Sequence, residues 1–125
     1  MDKILIVDDN ATFRQSLKGI LFNSFPLITL EEAADGMEAL KKIEDFLPDL
    51  VFMDIKLSGE NGLQLTQKIK NTNPDIPVVI LTSYDVPEYR DAAQRCGANY
   101  FLSKSTSNRE EIIALVKVIF PNMDD

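Results

Sequence analysis

Asp8 and Asp9 stand side by side where the apolar run Ile4-Leu5-Ile6-Val7 stops, and Asp54 stands where Leu50-Val51-Phe52-Met53 stops. A strand that stops at an acid holds that acid at its carboxyl tip. Two such strands, parallel in one sheet, would bring all three carboxylates to one edge. Like charges gathered in a cleft repel, so the set calls for a cation among them. Oxygen ligands of this kind suit a small hard ion, Mg²⁺ above all. Two further strand ends add to the same edge: Val78-Val79-Ile80-Leu81 is followed by Thr82-Ser83, and Tyr100-Phe101-Leu102 by Ser103-Lys104. Carboxylates, a metal, a hydroxyl and an ammonium are the parts that phosphoryl transfer needs. The cations neutralise charge on the phosphoryl oxygens while an anionic oxygen attacks in line. A carboxylate can be that oxygen, because aspartyl-phosphate is a recognised covalent intermediate.

The elements that must position these groups alternate short apolar runs with amphipathic segments, the pattern of a parallel sheet covered by helices. Strands are expected at 3–7, 27–33, 50–53, 77–81 and 99–102. Between them Phe13, Leu17, Ile20 and Leu21 recur at helical spacing after Asn10, a suitable N-cap. Met37, Leu40, Ile43 and Leu47 do the same after Asp35-Gly36. A third helix follows Gly62 with Leu65 and Ile69 inward, and Tyr89, Ala92, Ala93 and Cys96 mark a fourth, with Pro87 in its first turn. The last opens with Ser107-x-x-Glu110, a capping-box pattern, and runs to about Phe120. The runs ILIV, LVFM and VVIL are apolar on both faces, as central parallel strands are. LITLEEA carries Thr29, Glu31 and Glu32, and NYFL is short, which are edge features. Order 2-1-3-4-5 satisfies this. Ligands of such sheets sit beyond the strand tips where the order reverses, between strands 1 and 3. Asp8, Asp9 and Asp54 fall there.

Composition narrows the function. At 125 residues the chain fits one domain, which removes roughly two-thirds of its unfolded surface from water. With Cys96 as the only cysteine there is no internal disulfide, which suits a reducing cytosol. No apolar stretch approaches the ~20 residues of a membrane span, and a cytoplasmic protein is expected. A net charge of −7 opposes direct nucleic-acid binding. There is no histidine, so Ser-His-Asp and Cys-His catalysis and imidazole metal sites are excluded.

Over essentially its whole length the chain resembles a response-regulator receiver domain of bacterial two-component signalling. The resemblance rests on Asp8-Asp9, Asp54, Gly62, Thr82, Gly97-Ala98 and Lys104, in this order and at these spacings. It implies a flavodoxin-like (βα)5 three-layer α/β sandwich filling residues 1–125. It also implies that Asp54 is the phosphoacceptor, taking a phosphoryl group from a phosphohistidine on a sensor histidine kinase or phosphotransfer protein. Asp9 and Asp54 would ligate Mg²⁺, with Asp8 through water and the backbone carbonyl of Lys56 as a further ligand. Lys104 and Thr82, with Ser83 beside it, would contact the phosphoryl oxygens. Phe101 takes the place of the aromatic switch residue and would turn inward behind Thr82. The protein would not be an enzyme in its own right, although it would assist its own phosphorylation and dephosphorylation.

Four positions depart from the family pattern. Ser105 follows Lys104 where proline is most frequent, Leu57-Ser58 replaces the frequent Met-Pro, and Lys56 puts a cation two residues past the acceptor, where an influence on phosphoryl lifetime is expected. No output domain is expected within these residues, and the chain reads either as a stand-alone receiver or as the receiver of a longer, helix-turn-helix type regulator. Ile112, Ile113, Leu115, Val116, Val118, Ile119 and Phe120 cover more than one face of that helix. A homodimer or partner contact through the fourth helix, fifth strand and last helix is therefore expected. Rival readings fit less well. A small phosphatase of the haloacid-dehalogenase type needs Asp-x-Asp rather than adjacent acids. A flavin carrier needs a Ser/Thr/Gly-rich loop after the first strand. A degenerate receiver that only binds proteins would not need the intact acidic set with Thr82 and Lys104.

Overall fold

The computed structural model describes residues 2–122. Five strands and five helices alternate: β1 Lys3–Val7, α1 Ala11–Ser24, β2 Thr29–Ala33, α2 Gly36–Phe46, β3 Leu50–Met53, α3 Gly62–Thr72, β4 Val78–Thr82, α4 Pro87–Arg95, β5 Tyr100–Ser103 and α5 Arg109–Ile119. The strands form one parallel sheet in the order β2-β1-β3-β4-β5. This is the expected flavodoxin-like arrangement.

Side chains alternate across a strand, and here that alternation builds two cores. Leu5, Val7, Val51, Met53, Val78 and Ile80 face α2, α3 and α4, meeting Ala39, Ile43, Leu65, Ile69 and Ala93. Ile4, Ile6, Leu50, Phe52, Val79 and Leu81 face α1 and α5, meeting Leu17, Leu21, Ile112 and Val116. β3 and β4 are buried throughout, as strands covered on both faces must be. The polar residues of β2 follow the same alternation: Glu32 pairs with Arg14 and Lys18 of α1, whereas Glu31 pairs with Lys42 of α2.

Several local expectations need correction. Met37 and Leu47 are 84% and 55% exposed, so α2 buries Gly36, Ala39 and Ile43 instead. The helix ends at Phe46, and Leu47 is its cap in the left-handed conformation (φ 52°), which turns its side chain off the helical stripe. β2 begins at Thr29, because Pro26 and Leu27 form a turn and only Ile28 of that stretch is buried. α5 is capped one residue later than the capping-box pattern suggested: the Asn108 side chain accepts from the Glu111 N–H. The surplus of apolar residues on α5 is mostly absorbed. Ile112 and Val116 are buried, Ile113, Leu115, Ile119 and Phe120 pack partly against the second core, and Val118 is left exposed.

Candidate functional site

The ladder runs one residue past the strand ends and thereby sets the site. The Asp8 N–H donates to the Ala33 carbonyl at 3.0 Å, and the Asp54 N–H donates to the Val7 carbonyl at 3.0 Å. The two acids are therefore locked side by side by backbone bonds. β4 and β5 do the same across the sheet, where the Lys104 N–H donates to the Thr82 carbonyl at 2.8 Å. Gly62 fixes the return of the chain. A Cβ there would lie 1.8 Å from the Asp54 carbonyl oxygen, so only glycine lets α3 start against Asp54.

Carboxylate oxygens of Asp8, Asp9 and Asp54 all lie within 4.8 Å of one another. Asp8 and Asp54 are buried, and Asp9 is exposed at the mouth. Lys104 reaches between the two buried acids, its Nζ 2.6 Å from Asp8 Oδ2 and 3.2 Å from Asp54 Oδ2. The remaining oxygens are held by backbone donors: the Asn10 N–H bonds Asp8 Oδ1 at 2.9 Å, and the Ile55 N–H bonds Asp54 Oδ1 at 2.8 Å. Burial pushes the Asp54 carboxyl above its ordinary range. The Lys104 charge pulls it back, Asp8 adds to the rise, and hydrogen bonding from Lys104 and Thr82 lowers it again. Upward wins. In ionised form, three carboxylates against one ammonium leave two negative charges uncompensated. A divalent ion would supply that deficit, and an all-oxygen donor set at the mouth of a cleft fits Mg²⁺.

Thr82 is fully buried, and its hydroxyl accepts from the Tyr84 N–H at 3.3 Å. Ser83 is exposed, and no hydrogen bond joins it to the acids among the described residues. Phe101 is half-buried against the first core with the Arg90 guanidinium 4.6 Å from its ring centroid, and Arg90 is in turn paired with Asp85 at 2.6 Å. The Lys104–Ser105 peptide is trans, and the Ser105 side chain joins the turn by pairing with Ser103 Oγ at 2.9 Å. Ser58, at the unusual position after Leu57, bridges to Asp35, while Leu57 packs on the first core. Lys56 points its ammonium at two rings, 5.3 Å from the Tyr84 centroid and 5.6 Å from that of Tyr89.

Four neighbours of the site had no role there assigned from the sequence, in which Phe13 and Tyr89 stood only as helix positions. Arg14 donates to the Asp8 carbonyl and pairs with Glu32 at 2.9 Å, tying α1 to the end of β1. Phe13 places its ring 4.1 Å from Lys104 Nζ. Tyr84 and Tyr89 meet edge to face at 6.2 Å between centroids. Their one sequence signal is position. Phe13 follows the N-cap by three residues, and Tyr84 stands as far past Thr82 as Lys56 stands past Asp54.

A parallel sheet in this order with an acid cluster, a buried hydroxyl and a lysine at its carboxyl edge is the architecture of a receiver. The chain belongs to the response regulator receiver domain family, whose model matches residues 4–117. It is 36% identical over 119 residues to the oxygen regulatory protein NreC of Staphylococcus carnosus, covering 94% of this chain and 54% of that protein. The NreC of Staphylococcus aureus strain JH9 is 34% identical over 114 residues, with 90% and 52% covered. The chain thus spans about half the length of the curated relatives it matches. Among solved structures, a two-component response regulator from Clostridium difficile superposes with a TM-score of 0.90 at 33% identity, covering all of both chains. A CheY-like receiver domain protein from Methanospirillum hungatei JF-1 gives 0.87 at 30% identity, over 94% of this chain and 92% of that one. The chain is the receiver domain of a two-component response regulator. Among the described residues, no helix is long and apolar enough to cross a membrane.

Proposed function

We propose that Asp54 accepts a phosphoryl group from a phosphohistidine on a sensor histidine kinase or phosphotransfer protein. A carboxylate oxygen attacks phosphorus in line, the N–P bond breaks, and the imidazole leaves with its electron pair and takes up a proton. The observation that carries this reading is the single ammonium set between Asp8 and Asp54 at a strand tip, where developing charge on a phosphoryl group would meet it. Asp9, Asp54 and the Lys56 carbonyl would hold Mg²⁺, with Asp8 acting through water. The ion would neutralise phosphoryl oxygens when bound. Lys104 holds one phosphoryl oxygen. Thr82, with Ser83 at the rim, would serve another.

Phosphorylation would be read at the α4–β5–α5 face through Thr82 and Phe101. Phe101 would turn inward behind Thr82, which requires it to leave Arg90. The changed face would then contact a downstream protein, an attached output domain or a second copy of the chain in the cytoplasm. The relatives are about twice as long, which supports the attached domain. Catalysis would extend only to the protein's own phosphorylation and dephosphorylation. Incubation with acetyl phosphate and Mg²⁺ tests the acceptor. Wild type should gain the mass of one phosphoryl group and Asp54→Ala should not. A wild type left unmodified by both acetyl phosphate and a phosphorylated kinase would overturn the reading.

A further inference from the structure

We infer that Phe13 is a positioning residue for Lys104, its ring serving as the seat on which the ammonium rests beside Asp54. The inference rests on the phosphoacceptor reading above and assigns a new residue to that site. An ammonium has three N–H donors. Two of them meet carboxylates, Asp8 Oδ2 at 2.6 Å and Asp54 Oδ2 at 3.2 Å, and the ring of Phe13 lies 4.1 Å from the nitrogen. That distance is well inside the ~6 Å range of a cation–π contact. The lysine side chain is 12% exposed, so the contact is largely shielded from water.

Phe13 is itself fixed to the acids it serves. The Asn10 side chain accepts from the Phe13 N–H at 3.0 Å, while the Asn10 N–H donates to Asp8 Oδ1 at 2.9 Å. The next residue, Arg14, donates to the Asp8 carbonyl. The first turn of α1 is thus bolted to the tip of β1, and the ring cannot drift from the carboxylates without breaking these bonds. The seat matters most when the carboxylates turn to another partner. Asp8 and Asp54 cannot give the same lone pairs to a bound cation and to Lys104, whereas the ring face has no competing use. Phe13 therefore holds the ammonium in place for a phosphoryl oxygen. A phenylalanine here also packs partly against the second core, and leucine would fill that packing role without offering a π face.

The test compares Phe13→Leu and Phe13→Tyr with wild type by two measurements. In the NMR spectrum of wild type, the Lys104 ε-CH2 protons, assigned by their loss in Lys104→Gln, should be shifted upfield by the ring. The shift should vanish in Phe13→Leu and persist in Phe13→Tyr. Beryllofluoride with Mg²⁺, titrated as a phosphoryl mimic, should bind Phe13→Leu about tenfold more weakly than wild type, with recovery in Phe13→Tyr. An unshifted Lys104 signal in wild type would overturn the proposal even if Phe13→Leu fails to fold. Equal binding by wild type and Phe13→Leu would overturn the proposal alone. A wild type that binds no beryllofluoride would overturn the phosphoacceptor reading with it.

Discussion

Two lysines flank Asp54, and both rest on aromatic rings, yet they are held in opposite ways. Lys104 lies within the acid cluster, 12% exposed, with two carboxylates and the Phe13 face around it. Lys56 lies at the surface, its ammonium over Tyr84 and Tyr89, and no carboxylate pairs with it among the described residues. The nearby Tyr89 side chain raises the Lys56 ammonium above the usual lysine range. The contrast shows how a cation is kept near an anionic site without neutralising it. Lys104 is bound to the charge. Lys56 is parked beside it, joining the loop after β3 to the loop before α4.

The largest expected effect comes from removing the bound lysine. Lys104→Ala leaves Asp8 and Asp54 facing each other without a counterion, and should cost about 2–4 kcal/mol in urea unfolding without Mg²⁺. Added Mg²⁺ should return much of that loss. A loss below ~0.5 kcal/mol would mean that the pairing is no stronger than a surface contact, and the contrast between the lysines would fail.

Removing the Asp54 charge should act in the opposite direction. The Asp54 carboxyl is raised in the folded state, chiefly by burial. The folded protein therefore binds the proton more tightly than the unfolded chain. Stability from this group is present below the unfolded value, near 3.9, and is lost as pH rises through the raised folded value. Asp54→Asn should then be more stable than wild type at pH 7 without metal, with the gain shrinking on acidification. Equal denaturant midpoints for the two proteins at pH 7 and pH 4 would contradict this.

The smallest effect belongs to Lys56. Lys56→Ala should leave the denaturant midpoint close to that of wild type, because an exposed cation–π contact is weak. Its phosphoryl lifetime should differ from that of wild type by no more than about fivefold. Identical lifetimes would remove Lys56 from the chemistry of the site. The protein has three tyrosines and no tryptophan, so tyrosine fluorescence reports the Lys56 contact with little background.

The strand tips were legible because an acid or hydroxyl ending an apolar run can be read without knowing the fold. The sheet order followed from which runs are apolar on both faces, and Asp8, Asp9, Asp54, Thr82 and Lys104 followed from the order. What escaped lay in contacts between elements distant in sequence. Phe13 reads as core by its spacing, and only the return of β5 to the same edge puts Lys104 above it. Tyr84 and Tyr89 gain meaning from Lys56, which comes from a neighbouring loop. Met37 and Leu47 failed for a local reason. Periodicity marks which residues could share a face, but α2 turns Gly36, Ala39 and Ile43 inward and ends before Leu47.

The most direct measurement is to locate the phosphoryl group. Wild type treated with acetyl phosphate and Mg²⁺, then reduced with borohydride, should yield homoserine at position 54 by tandem mass spectrometry. Homoserine at position 8 or 9, with residue 54 unchanged, would contradict the account.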